Sequence, residues 1–164
     1  MKRQAGMTLV ELVITIVIIG IAAAALYSAM AAIGGRSADP MLRQQSLAIA
    51  EAYLEEISLQ PFLDPGSGNI CPAAPAGRAN FDNVCDYNSL NDIGARDARG
   101  QLVAGLGGYS VRVSVAQQAW EGLAANRVLY AQVTVTDPTG QTLTLAGYRT
   151  CYDGYDQSGN SVCP

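Results

Sequence analysis

The chain contains no histidine, a single lysine (Lys2), one tryptophan and two phenylalanines among its 164 residues. Without histidine, the usual general base near neutral pH and the commonest metal ligand are missing. That removes Ser-His-Asp, Cys-His and most zinc-hydrolase schemes. Basic residues are scarce, 10 Lys+Arg against 14 Asp+Glu, so no strongly basic face for nucleic acid is expected. The length suits one domain. Charged residues make up 15% of the chain and apolar residues 49%, but much of the apolar share lies before Arg36. The two parts are therefore read separately.

Lys2 and Arg3 precede the run MTLVELVITIVIIGIAAAALYSAMAAIGG, in which Glu11 is the one charge. Between Glu11 and Arg36 lie 24 uncharged residues. At about 1.5 Å of rise per residue, a helix of that length spans a hydrocarbon core of about 30 Å. The positive-inside rule places residues 1–6 in the cytoplasm and residues 36–164 outside. A cleaved secretory signal is one explanation, with Ala22 to Ala25 as small residues near a cut, but the run is longer than such signals need. A plain signal anchor leaves Glu11 unexplained. A carboxylate costs roughly 2.5–3.5 kcal/mol at a helix centre in the bilayer and less toward an edge, so one kept there asks for a partner.

The string AG followed by MTLVELVITIVIIG resembles the class III signal of type IV pilins and of the pseudopilins of type II secretion. In that family a short basic leader ends in Gly, the next residue is Phe or Met, and a Glu stands five residues into the mature chain. Those roles fall on Gly6, Met7 and Glu11. The resemblance implies cleavage after Gly6 by a prepilin peptidase, N-methylation of Met7, and retention of the apolar helix on the mature protein. The chemistry is self-consistent. Cleavage creates an amine, with an ordinary pKa near 8, beside an apolar helix. Pairing that amine with Glu11 of an adjacent subunit would relieve both charges and set the axial register. Gly20 matches a glycine common in pilin helices, whereas Ser28 stands where many pilins carry proline. Since Lys2 lies in the leader, no lysine remains for an isopeptide crosslink, and assembly has to be noncovalent.

Beyond Gly34-Gly35, Asp39 reads as an N-cap with Pro40 at the first helical position, starting a second helix over about 40–60. Ser46, Ala50, Tyr53 or Leu54, and Ile57 recur at helical spacing, with Arg43, Gln44, Glu51, Glu55 and Glu56 toward another face. Pro61 ends it, and residues 61–100 read as a long irregular connection. Tyr109, Val111, Val113 and Val115 alternate with polar residues as a half-buried strand, and Leu129, Ala131, Val133 and Val135 repeat the pattern. Asp137-Pro-Thr-Gly140 is a turn leading to Leu143 and Leu145. The expected fold is α+β: a long N-terminal helix, then an antiparallel sheet of three or more strands with irregular, disulfide-closed loops. The expected organisation is a leader (1–6), an assembly helix (7–35) and a head (36–164).

Within the pilin class, DPMLRQQSLAIAEAYLEEISLQPFLDP, FDNVCDY, GYSVRV and LAGYR resemble the MshD family of minor pilins from the mannose-sensitive haemagglutinin (MSHA) pilus. Cys85 departs from that pattern, which usually has Asp there. The resemblance implies a minor pilin with other pilin subunits and the prepilin peptidase/methyltransferase as partners, working in the inner membrane and then in the pilus. A secretion pseudopilin is the alternative, and a membrane-anchored enzyme using Glu55-Glu56 or Asp82-Asp86 a remote third.

Cys71, Cys85, Cys151 and Cys163 all fall in the outer part, where two disulfides are the default. Four cysteines allow three connectivities. Cys71 with Cys85 and Cys151 with Cys163 are favoured because each closes a short Gly/Pro/Asn-rich loop, and the second resembles the C-terminal loop of many pilins. No C-x2-C spacing supports zinc. Asp153, Asp156 and Asn160 do not follow a calcium-loop spacing and are expected to form a solvated turn. Asp82, Asp86 and Asp92 are expected in Asx turns, and Trp120, in a loop between strands, as a cap over the sheet core, with an exposed contact as the alternative. No catalytic residue, metal or cofactor is assigned.

Overall fold

The computed structural model describes residues 8–36, 38–152 and 163. The chain divides into two compact units, Met1–Met41 and Leu42–Pro164. The first is dominated by helix α1 (Leu9–Arg36). Thr8 caps it: its hydroxyl oxygen accepts the Glu11 N–H at 3.3 Å, and its carbonyl accepts the Leu12 N–H at 3.2 Å. This satisfies donors that a helix start leaves without partners.

Gly34 and Gly35, expected to stop the helix, lie inside its last turn, and α2 (Ala38–Ser58) begins before Asp39. A glycine costs a helix only about 1 kcal/mol relative to alanine, and proline is tolerated anywhere in a first turn that needs no N–H partner. Neither signal was strong enough to fix the boundary. Ser37 lies outside the described residues.

In the second unit, α2 presents Ser46, Ile49, Ala50, Tyr53 and Ile57 as buried side chains at helical spacing, while Glu51 and Glu55 are exposed. They pack on a four-stranded antiparallel sheet in sequence order: β1 (Asn91–Ile93), β2 (Ser110–Gln117), β3 (Val128–Thr136) and β4 (Thr142–Thr150). Period-2 alternation puts Val111, Val113, Val115, Leu129, Ala131, Val133 and Val135 on the core face. Burying each such side chain contributes roughly 1.5–3 kcal/mol. The register pairs Val113 with Val133 and Val133 with Leu145, so this face is continuous across three strands. Gly147 of β4 lies under Leu54, whose side chain is 3.5 Å from where a β-carbon would stand.

The stretch between α2 and β2 is more structured than its composition predicted. It holds two short 3-10 turns, Arg78–Asn80 and Val84–Tyr87, and strand β1. Asn83 and Asp86 form a capping box around the second turn. Gly94 is in the left-handed region at φ 77°, and the Leu102 side chain fills the space a β-carbon would need. Disulfides join Cys71 to Cys85 and Cys151 to Cys163, with Cα atoms 5.1 and 5.7 Å apart.

Trp120 does not cap the core. It is 41% exposed and stacks on Tyr148, ring centroids 4.8 Å apart. Tyr148 belongs to the outward-facing set of β4, as its cross-strand partner Tyr130 does in β3. The indole found another aromatic on the solvent face, a pairing that no local pattern encodes.

The β3–β4 turn is held by Asp137, whose Oδ1 accepts the Thr139 N–H (2.8 Å), the Thr139 hydroxyl (2.7 Å) and the Gln141 N–H (2.9 Å). The Thr139 hydroxyl, helped by these backbone donors, holds the Asp137 carboxyl below the usual carboxylate range. A depressed folded pKa means that the contribution is present above the ordinary carboxylate pKa and is lost as pH falls through the folded value. We expect Asp137→Asn, which keeps an acceptor but removes the titration, to lose less stability than wild type between about pH 5 and pH 2. Urea unfolding of both chains across that range tests this; identical pH slopes would remove Asp137 from the acid limb.

Candidate assembly site

Two sets of residues stand out: the exposed apolar helix with its single acid, and a buried charge cluster in the head. In α1, Leu9–Met30 is long and apolar enough to cross a membrane. It buries nothing within the chain: Leu9 is 78% exposed and Ile21 67%. A surface of that size must be covered by lipid or by other protein. Glu11 lies in the first helical turn. Its N–H is taken by Thr8, and its carbonyl accepts the Thr15 hydroxyl at 2.7 Å. The backbone around the carboxylate is thereby fixed. The helix N-terminus is the end at which a negative charge is favoured. Gly6 and Met7 lie outside the described residues. At Gly20 nothing approaches within 4 Å of a β-carbon position, leaving a notch on the helix surface.

Residues 1–27 match the prokaryotic N-terminal methylation motif. That motif covers Gly6, Met7 and Glu11 and runs into the apolar helix. The chain is also similar to the pilin-like protein PilA2 of Thermus thermophilus, at 29% identity over 183 aligned positions covering 97% of this chain and 95% of the relative. No solved structure matches. Both likenesses are to the pilin class, and neither reaches the MSHA assignment that scattered head motifs suggested.

The charge cluster was not foreseen. Arg78, with its side chain 5% exposed, donates through Nη2 to Glu56 Oε2 at 2.7 Å and through Nη1 to Asp92 Oδ2 at 2.6 Å. Its Nε donates to Glu56 Oε1 at 3.2 Å, completing a two-pronged contact with α2. The Tyr87 hydroxyl donates to Glu56 Oε1, and the Tyr53 hydroxyl to Asp92 Oδ2, both at 2.8 Å. Tyr53 in turn accepts the Arg96 N–H at 2.8 Å, and its ring lies 4.3 Å from the guanidinium carbon. Burial disfavours the charged guanidinium, but the bonds to Glu56 and Tyr53 outweigh it and hold Arg78 above the usual arginine value. Burial, then Glu56, pushes the Tyr87 phenol up.

Asp92 is thus an ion-pair partner of Arg78, not an Asx-turn residue, and Glu56 has both oxygens engaged. Of the acids considered for catalysis, Glu56 and Asp86 bond within the fold, whereas Glu55 is exposed and Asp86 Oδ1 is buried with no hydrogen-bond partner among the described residues. Asp86 Oδ2 accepts the Asp82 and Asn83 N–H groups at 2.9 and 3.3 Å. Partial desolvation, with Asp64 and Asp86 nearby, raises the Asp82 pKa. Among the described residues no group of three His, Cys, Asp or Glu is placed to hold a metal ion. Asp153, Asp156 and Asn160 lie outside those residues.

One signal in the sequence could have located part of this. Thr8 three residues before Glu11 is the spacing of a helix-start cap. For Arg78 there was none, because its partners lie 22 and 14 residues away in stretches with no shared periodicity.

Removing one member of a buried ion pair typically costs 3–5 kcal/mol, because the remaining charge is left unpaired. We expect Arg78→Ala to lower the unfolding free energy by about that amount. Arg78→Lys should recover only part of it, since an ammonium cannot make the forked contact. Denaturant titration of the full chain in detergent measures both, and a loss below about 1 kcal/mol for the alanine variant would show the cluster to be dispensable.

Proposed function

We propose that the chain is a minor subunit of a type IV pilus of the MSHA kind, built into the fibre through α1 and contributing to pilus assembly and surface attachment. The observation that carries this reading is the methylation motif over residues 1–27 on a helix that exposes an apolar surface with one acid in its first turn. In this reading residues 1–6 stay in the cytoplasm with the head across the inner membrane, and prepilin peptidase cuts after Gly6. Its methyltransferase activity modifies the new amine of Met7. The Met7 amine remains cationic near neutral pH. Glu11 of one subunit pairs with that amine of the next, fixing axial register in a bundle of low dielectric. Lateral packing of the exposed isoleucines, valines and leucines then holds the fibre. The resemblance of the head to MSHA minor pilins directs the proposal toward a pilus over a secretion pseudopilus.

The intact chain from its native membrane is expected to begin at N-methyl Met7 and to gain two hydrogens for each of its two disulfides on reduction. A chain beginning at Met1 would reduce it to a plain anchor. Glu11→Val should be processed and inserted normally, yet appear in sheared surface filaments at about one tenth of the wild-type level, the effect of losing about 1.4 kcal/mol of pairing. Unchanged filament content would remove the pairing step. Absence of wild-type chain from sheared filaments, with a secretion defect on deletion, would move the protein to the pseudopilins.

A further inference from the structure

Strand β4 forms one edge of the sheet. At the turn, Asp137 N–H donates to Gln141 C=O at 2.9 Å, and at the far end Cys151 N–H donates to Arg127 C=O at 3.0 Å. With the antiparallel register between them, hydrogen-bonded pairs with β3 fall on the odd-numbered residues of β4. The even-numbered residues Thr142, Thr144, Ala146, Tyr148 and Thr150 therefore turn their N–H and C=O groups away from the sheet. Among the described residues, Thr142, Thr144, Ala146 and Tyr148 have no hydrogen bond on that side. β4 has no proline, no lysine and no bulge in its register, and its one charged residue is Arg149.

The core also stops short of this edge. Leu143 and Leu145 face it but are only partly buried. Beside them, Arg43 and Ser46 of α2 and Thr142, Leu143 and Thr144 line a cleft of about 260 Å³. Asp137 also lines it, with its Oδ1 engaged by the turn. Arg43 is exposed and makes no ion pair among the described residues.

We propose that β4 is a docking edge for an extended strand of a different polypeptide, carrying a carboxylate opposite Arg43. Donors and acceptors that repeat about every 6.8 Å along a strand are matched by another extended main chain. Charge selects the partner. A second copy paired antiparallel with its Leu143 opposite Leu143 sets Arg43 against the other copy's Arg43, and like charges disfavour that register. A foreign strand with an acid at that position gains the ion pair and shields Leu143 and Leu145. The proposal does not depend on entry into a filament.

The test is photo-crosslinking of the full chain in its native cells, with p-benzoylphenylalanine placed singly at Thr144 and at Tyr148. Adducts from the two sites are expected on one segment of one partner, about four residues apart, as strand pairing requires. That segment should hold an Asp or Glu near the Thr144 adduct. Ala146→Pro removes only an outward N–H and should abolish both adducts while leaving the thermal midpoint nearly unchanged. Arg43→Glu, on an exposed side chain, keeps the test decisive if the proline variant unfolds. It should lower adduct yield at least about threefold, the scale of one surface ion pair. Adducts only to the chain's own copies, adducts scattered over unrelated surfaces, no adducts, or yields indifferent to both variants would each overturn the proposal.

Discussion

The head depends on one buried cation. Arg78 follows the irregular stretch after α2, and it ties together three elements of the head. Glu56 comes from the helix, Asp92 from the shortest strand, and Tyr53 and Tyr87 from the two sides of the cluster. A guanidinium suits this place because its planar fork donates in several directions at once and stays charged when desolvated. These bonds hold the irregular segment between α2 and β2 at Arg78 and Tyr87, and β1 within it joins the sheet beside β2. The Cys71–Cys85 disulfide and the Asn83 capping box restrain the same segment by covalent and backbone means.

The amino-terminal helix works on the opposite principle. Over Leu9–Met30 it is apolar and exposed on all sides but for Glu11, so its stability depends on its surroundings. A helix of this kind in water would aggregate; in lipid, or among copies of similar helices, the same surface supplies the packing. Glu11 is the exception on that surface, and its backbone is pinned by Thr8 and Thr15. The Glu11 backbone is therefore fixed at the helix start.

Much of the head was legible because period-2 and period-3.6 patterns act locally. Val111, Val113 and Val115, the Leu129 to Val135 series, and Ser46, Ala50 and Ile57 were assigned to buried faces from spacing and are buried, and of the two left open, Tyr53 is buried and Leu54 partly so. The Asp137-Pro-Thr-Gly140 turn was legible for the same reason, since the side chain that closes it is in the turn itself. Helix ends around Gly34 to Pro40 were misjudged because capping preferences there amount to about 1 kcal/mol, less than neighbouring helix formers supply. Trp120 and Asp92 were misplaced because their partners, Tyr148 and Arg78, are distant in sequence.

The sequence by itself determined that an apolar helix with one acid precedes an α+β head, since continuous runs and short periods leave the backbone few alternatives. Motif spacing determined where processing is expected, because a peptidase reads a short extended segment. Tertiary structure alone decided which charges face each other and which face of the sheet carries the Trp120 stack. Those outcomes depend on register and on contacts between segments many residues apart. The free energies separating the alternatives are sums over the whole head, and no local window of sequence contains them.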